Sequence, residues 1–115
     1  MPFRSHDEYF ATQPRDLRAR LEQIQQEVER QVPGSARTIS YNLPAFKKEK
    51  TFFYFAAFKK HIGIYPPVTE DLELIKETEG LRGPKGNLSF GHDTELPLQL
   101  IGRIAKALAS QYSAA

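Results

Sequence analysis

Residues 39–66 constrain the fold most. This stretch holds Tyr41, Phe46, Phe52, Phe53, Tyr54, Phe55, Phe58 and Tyr65, interleaved with Ile, Ala and Lys. Aromatic and β-branched residues crowded into short runs favour strands over helices. Three strand segments follow from it, 45–48, 51–58 and 61–65. Two residues separate each neighbouring pair, Glu49-Lys50 and Lys59-Lys60, which predicts two tight antiparallel hairpins. A fourth strand over 38–42 precedes them, with Leu43-Pro44 as the expected break.

Side chains alternate between the faces of a strand. If both hairpins turn on two residues, Phe58 pairs with His61, Ala56 with Gly63 and Tyr54 with Tyr65. One face then carries Phe46, Phe53, Phe55, Ala57, Ile62 and Ile64, a core. The other carries Lys47, Phe52, Tyr54, Ala56, Phe58, His61 and Tyr65. A solvated face has no need of so many rings, so something should cover this one. The candidates are the chain's own 69–90 segment, a second subunit, or a small organic or anionic ligand. For a ligand, Tyr54, His61 and Tyr65 would supply polar contacts, with Lys47 or Lys85 at the rim.

The flanks read as helices. Ser5 with Glu8 has capping-box spacing. Leu17, Leu21, Ile24, Val28 and Val32 recur at helical intervals after Pro14, and Pro33-Gly34 stops that helix. Thr69 is a candidate cap for a third helix running to about Glu79, with Leu72 and Ile75 facing inward. Leu88-Ser89-Phe90 reads as one more short strand. Leu98, Ile101, Ile104, Ala105, Leu108 and Tyr112 mark a last helix after Pro97. The expected fold class is α+β: an antiparallel meander packed by N- and C-terminal helices, in one domain with its core over about residues 5–110.

Composition narrows the chemistry. With 115 residues and no cysteine, thiolate metal sites, disulfides and cysteine nucleophiles are excluded. A net charge of +2 without a basic stripe predicts no nucleic-acid partner. No apolar run approaches the ~20 residues of a membrane span, and the N-terminus lacks an apolar signal core, so a cytoplasmic protein without a membrane partner is expected. The run Gly83-Pro84-Lys85-Gly86 lacks the Lys-Ser/Thr ending of a phosphate-binding loop. No arrangement marks a catalytic nucleophile, so a binding protein is expected and not an enzyme.

Carboxylates supply the metal candidates. Glu70, Glu73 and Glu77 would share one face of the third helix. His6-Asp7-Glu8 and His92-Asp93-Thr94-Glu95 mix nitrogen and oxygen ligands, a set that suits iron and related metals. None has the spacing of a strong metal motif, and acids near helix starts also serve the helix dipole.

Several segments taken together carry a resemblance. Ile39 to Phe46, Tyr54 to Pro66, Lys85 to Phe90 and Leu96 to Ile101, with Asp7-Glu8-Tyr9 ahead of an amphipathic helix, are similar to the YdhG-like family of small bacterial domains of unknown function. The likeness spans about residues 5–110. Asn42 stands where the family usually has Gly, and Gly91 where it often has Pro. The resemblance implies an α+β, frataxin-like fold. It also implies an iron-chaperone role, in which carboxylates such as Asp7, Glu8, Glu70, Glu73 and Glu77 would hold iron weakly and pass it to an acceptor protein. A homodimer through the aromatic face is the structural alternative.

Overall fold

The computed structural model describes residues 2–83 and 87–113. Five strands form one antiparallel sheet in chain order: β1 (Ala36–Ser40), β2 (Leu43–Lys47), β3 (Thr51–Ala57), β4 (His61–Tyr65) and β5 (Leu88–Gly91). The helices are α1 (His6–Phe10), α2 (Arg15–Gln31), α3 (Leu72–Glu77) and α4 (Leu98–Ser113), with a 3-10 turn at Glu79–Leu81. This is the expected α+β meander with N- and C-terminal helices.

The apolar stripes of the long helices explain the layering. Leu21, Ile24 and Val28 of α2 and Ile101, Ile104 and Leu108 of α4 are fully buried, as are Phe46, Phe53, Phe55, Ile62 and Ile64 of the sheet. The two helices pack against each other, and α4 lies over β3. Gly102 permits that approach: a Cβ there would collide with the Glu27 carboxylate and come within 2.9 Å of Gln31 Cγ. Ser5 caps α1, its Oγ accepting from the Glu8 N–H at 3.2 Å. The Glu8 carboxylate turns instead to Arg4, whose backbone N–H donates to it at 2.9 Å.

Four expectations need correction. Leu43 and Pro44 do not break a strand; they belong to β2, and the turn falls two residues earlier at Tyr41-Asn42, both at positive φ (52° and 60°). That is the pattern of a type I′ hairpin turn. Pro44 pairs with Ile39, next to the closing pair Ser40–Leu43, and pairing of β2 with β3 begins only at Ala45. Pro44 thus sits in a non-hydrogen-bonded pair with Ile39, and its missing N–H costs the β1–β2 ladder no bond.

Phe52 does not join the open face. The β2–β3 register slips between Phe46 and Lys47, leaving Thr51 opposite Lys47 and Phe52 unpaired. A bulge of this kind interrupts alternation, and Phe52 is fully buried in the core cluster. The third helix starts at Leu72, capped by Asp71, whose carboxylate accepts from the Leu74 N–H at 3.0 Å. Thr69 instead donates its N–H to Gln111 Oε1 of α4. Finally, Leu74 rather than Leu72 points inward: Leu72 is 78% exposed and Leu74 1%.

Candidate functional site: the aromatic sheet face

The register of β3 and β4 is as the alternation predicts. Tyr54 opposes Tyr65 and Ala56 opposes Gly63, and the Phe58 N–H donates to the His61 carbonyl at 2.8 Å. Tyr54, Phe58, His61 and Tyr65 thus share the face turned away from the long helices. Leu43 of β2 joins them by pairing, because Ala45, two residues on, opposes Tyr54. The turn adds Tyr41, whose ring lies 6.0 Å from that of Tyr54.

Tyr41, Leu43, Tyr54, Phe58 and Tyr65 line a shallow depression of about 300 Å³. Tyr41 is 86% exposed and Phe58 41% exposed. Among the described residues, the 69–83 segment contributes nothing to this lining. That segment runs along α4 instead, tied by Thr69 to Gln111 and by Glu77 to Arg103.

Two rings at the other end are fixed by a missing side chain. Phe58 stacks on His61 (5.1 Å, 24°) and meets Tyr65 edge-on at 6.4 Å. Both Phe58 and Tyr65 lean over Gly63. A Cβ on Gly63 would stand 2.9 Å from Tyr65 Oη, closer than real contacts allow, and a tight 3.0 Å from Phe58 Cε2. Rings fill the space a side chain would take, as aromatic residues do over strand glycines. Partial burial raises the Tyr65 phenol above its ordinary pKa.

Of the five predicted ligand contacts, the structure brings Tyr54 and Tyr65 into the depression and sets half-buried His61 behind Phe58. Lys47 is exposed on the same face but beside the bulge, outside the lining. Lys85, with the rest of the 84–86 run, lies outside the described residues. The lining residues the sequence reading missed are Tyr41 and Leu43, the latter expected as part of a strand break; Tyr41 is the ring among them. Its signal was present: a Tyr-Asn pair between two strand-like runs is where a two-residue turn belongs.

The carboxylate candidates are scattered. Asp7 is exposed, Glu8 is held by Arg4, and Glu77 pairs with Arg103 across to α4. The hydrogen bonds from Arg4 hold Glu8 below the ordinary carboxylate range. Glu70 precedes α3, so it shares no helical face with Glu73 and Glu77. His6 is buried away from Asp7 and Glu8, and the His92 ring bonds the Phe58 carbonyl at 2.7 Å. Among the described residues no three His, Asp or Glu side chains converge as a metal site.

Two wider grooves gather no convergent set. One of about 660 Å³ runs between α4 and the segment just before α3, past Glu70, Asp71, Arg103 and Lys106. The other, of about 560 Å³, lies at the start of α2 beside Asp16, Arg20, Lys59 and Asp93. Charges of both signs in open grooves are the pattern of a solvated surface. Among the described residues no helix is long and apolar enough to cross a membrane.

Comparison with known proteins adds the fold's kinship. No protein-family model matches the sequence, and no curated protein matches it significantly. Among solved structures, the chain is similar to a protein of the DUF1801 family, YdhG from Bacillus subtilis. The TM-score is 0.77 at 17% identity, over 95% of this chain and 91% of that one. The chain therefore has the fold of a DUF1801-family, YdhG-like protein.

Proposed function

We propose that this protein is a non-enzymatic binding domain whose aromatic sheet face receives a planar, largely apolar group of a small organic ligand. Tyr41 carries the reading. It occupies a left-handed turn position, φ 52°, with 86% of its surface exposed. That conformation costs a bulky residue about 1–2 kcal/mol, and type I′ turns take Asn, Asp or Gly there instead. An exposed ring contributes little burial to offset the strain. Strain kept without a folding benefit marks a functional position. Here the strained residue adds a ring to a wall already built from Tyr54, Phe58 and Tyr65.

The lining is almost entirely apolar, so the ligand is held by ring contact and the tyrosine hydroxyls are the polar groups available to orient it. Iron carriage, which the family likeness implies, has no comparable support from the dispersed carboxylates Asp7, Glu8, Glu70, Glu73 and Glu77.

The test is a fragment screen of aromatic compounds followed by NMR of the ring protons. Saturable shifts should concentrate on Tyr41, Tyr54, Phe58 and Tyr65. A concentration-dependent dimer that buries these same rings, with no fragment bound, would replace this reading with self-association.

A further inference from the structure

His6 is 3% exposed, yet each of its ring nitrogens has a partner. Nε2 lies 3.1 Å from the Thr38 carbonyl and 2.9 Å from the Ala45 carbonyl. Carbonyls only accept, so Nε2 carries the hydrogen. Nδ1 lies 3.0 Å from the side-chain amide nitrogen of Gln25, itself 5% exposed. An amide nitrogen only donates, so Nδ1 is the bare acceptor and the ring is neutral. Rings of Phe10, Phe46 and Phe55 enclose it at 5.8, 5.2 and 5.7 Å.

The two carbonyls belong to residues paired across β1 and β2. One imidazole N–H therefore fastens α1 to the whole first hairpin. The same segment is tied again where the Phe3 N–H donates to Asn42 Oδ1 at 2.7 Å, and where the Tyr9 hydroxyl accepts from the Ala57 N–H at 3.0 Å.

A proton on Nδ1 would meet the Gln25 amide nitrogen, donor against donor, and an amide turned over to offer Oε1 would still leave the imidazolium charge inside an apolar box. Neighbouring charges give it little relief. Arg37 of β1 opposes protonation and Glu29 of α2 favours it, but the two are already paired at 2.6 Å. Asp7 on α1 is exposed, and Arg4 before it is paired with Glu8. β2 and β3 present the rings of Phe46 and Phe55. We propose that His6 makes α1 an acid-released latch: protonation of its bare ring nitrogen unseats α1 from the β1–β2 hairpin while α2, α4 and the sheet remain folded. The latch is independent of what the aromatic face binds.

Desolvation by burial, the largest influence on the ring, holds the His6 pKa below its ordinary 6.5. The closed latch therefore excludes a proton that the open one takes up, and acid favours opening. Between pH 7 and 5 the open fraction rises by at most about 25-fold, the ceiling for a closed form that binds no proton and an open form that titrates near 6.5.

Amide hydrogen exchange tests this, read as protection factors so that intrinsic chemistry cancels. Protection at Tyr9, Ala11 and Ala57 should fall by about tenfold or more from pH 7 to 5, while Ile104 and Leu108 of α4 hold. Gln25→Glu places a carboxylate against Nδ1, gives the imidazolium a partner, and should abolish or reverse the fall. His6→Gln cannot titrate there and should give a flat profile. Flat protection in the unmodified protein, a parallel fall in α1 and α4, or an equally steep fall in Gln25→Glu would each overturn the latch.

Discussion

Replacing Tyr41 with Asn separates a structural role for that ring from a binding role. Relief of the left-handed strain should return about 1.5 kcal/mol, since Asn suits the first position of a type I′ turn. Against this stands lost burial. With 86% of the residue exposed, only about a seventh is covered. Taking roughly 200 Å² for an aromatic side chain, that is about 30 Å², or about 0.7 kcal/mol. The tilted contact with Tyr54 at 6.0 Å is partly solvated and adds little. The net expectation is a gain of about 0.5–1 kcal/mol, read in urea as a higher midpoint at constant slope. The melting temperature should rise by about 2–5 °C. Affinity for an aromatic fragment should fall about tenfold, as expected when one ring contact worth about 1–1.5 kcal/mol is removed. Tyr41→Phe should keep both properties near their starting values. A Tyr41→Asn protein destabilised by more than about 1 kcal/mol would show the ring to be structural. One that binds fragments unchanged would remove Tyr41 from the site.

Other substitutions probe the same surface and its support. Gly63→Ala must displace the Phe58 and Tyr65 rings, but both can swing into solvent; stability should change by less than about 1 kcal/mol, while fragment binding weakens and both ring spectra shift. Phe52→Ala should cost about 3–5 kcal/mol because the ring is fully buried, whereas Phe58→Ala, 41% exposed, should cost about 2–3 kcal/mol at most; a loss in urea no larger for Phe52→Ala than for Phe58→Ala would contradict the burial assigned to Phe52. Burial raises the Tyr9 phenol above its ordinary 10.0, so stability is intact below that pH and is lost as pH rises through the raised value. Tyr9→Phe should flatten this alkaline loss in a pH series of melts, at a cost of about 1 kcal/mol for the acceptor withdrawn from the Ala57 N–H.

Strand pairing was legible wherever alternation ran unbroken. The runs on either side of Lys59-Lys60 fix the β3–β4 register, and with it the shared face of Tyr54, Phe58, His61 and Tyr65. Reading failed where one backbone irregularity changed the count. The bulge opposite Lys47 moved Phe52 from the open face to the core, and an inserted residue has no signature in composition. Pro44 looked like a breaker because its tolerance depends on where the ladder bonds fall, which only the pairing reveals. That misreading also hid Tyr41, which enters the site through the turn and not through a strand. His6 beside Asp7 and Glu8 looked like a ligand set; helical geometry sends the imidazole inward and leaves the carboxylates outside.

The strand order equals the chain order, and this bears on how the molecule assembles. Every sheet contact joins neighbours along the chain, and the three hairpins over 36–65 close loops of two to three residues. Such local pairings are quick to search. The rings of Phe53 and Phe55 on β3 are different, because the cover of that strand includes α4, which begins at Leu98. During synthesis the four strands over 36–65 are complete before α4 has been made, whereas β5 directly precedes it. Residues 98–113 act as the closing half of the core, and a chain cut ahead of them would hold paired strands with an unshielded apolar face, the species most prone to aggregate.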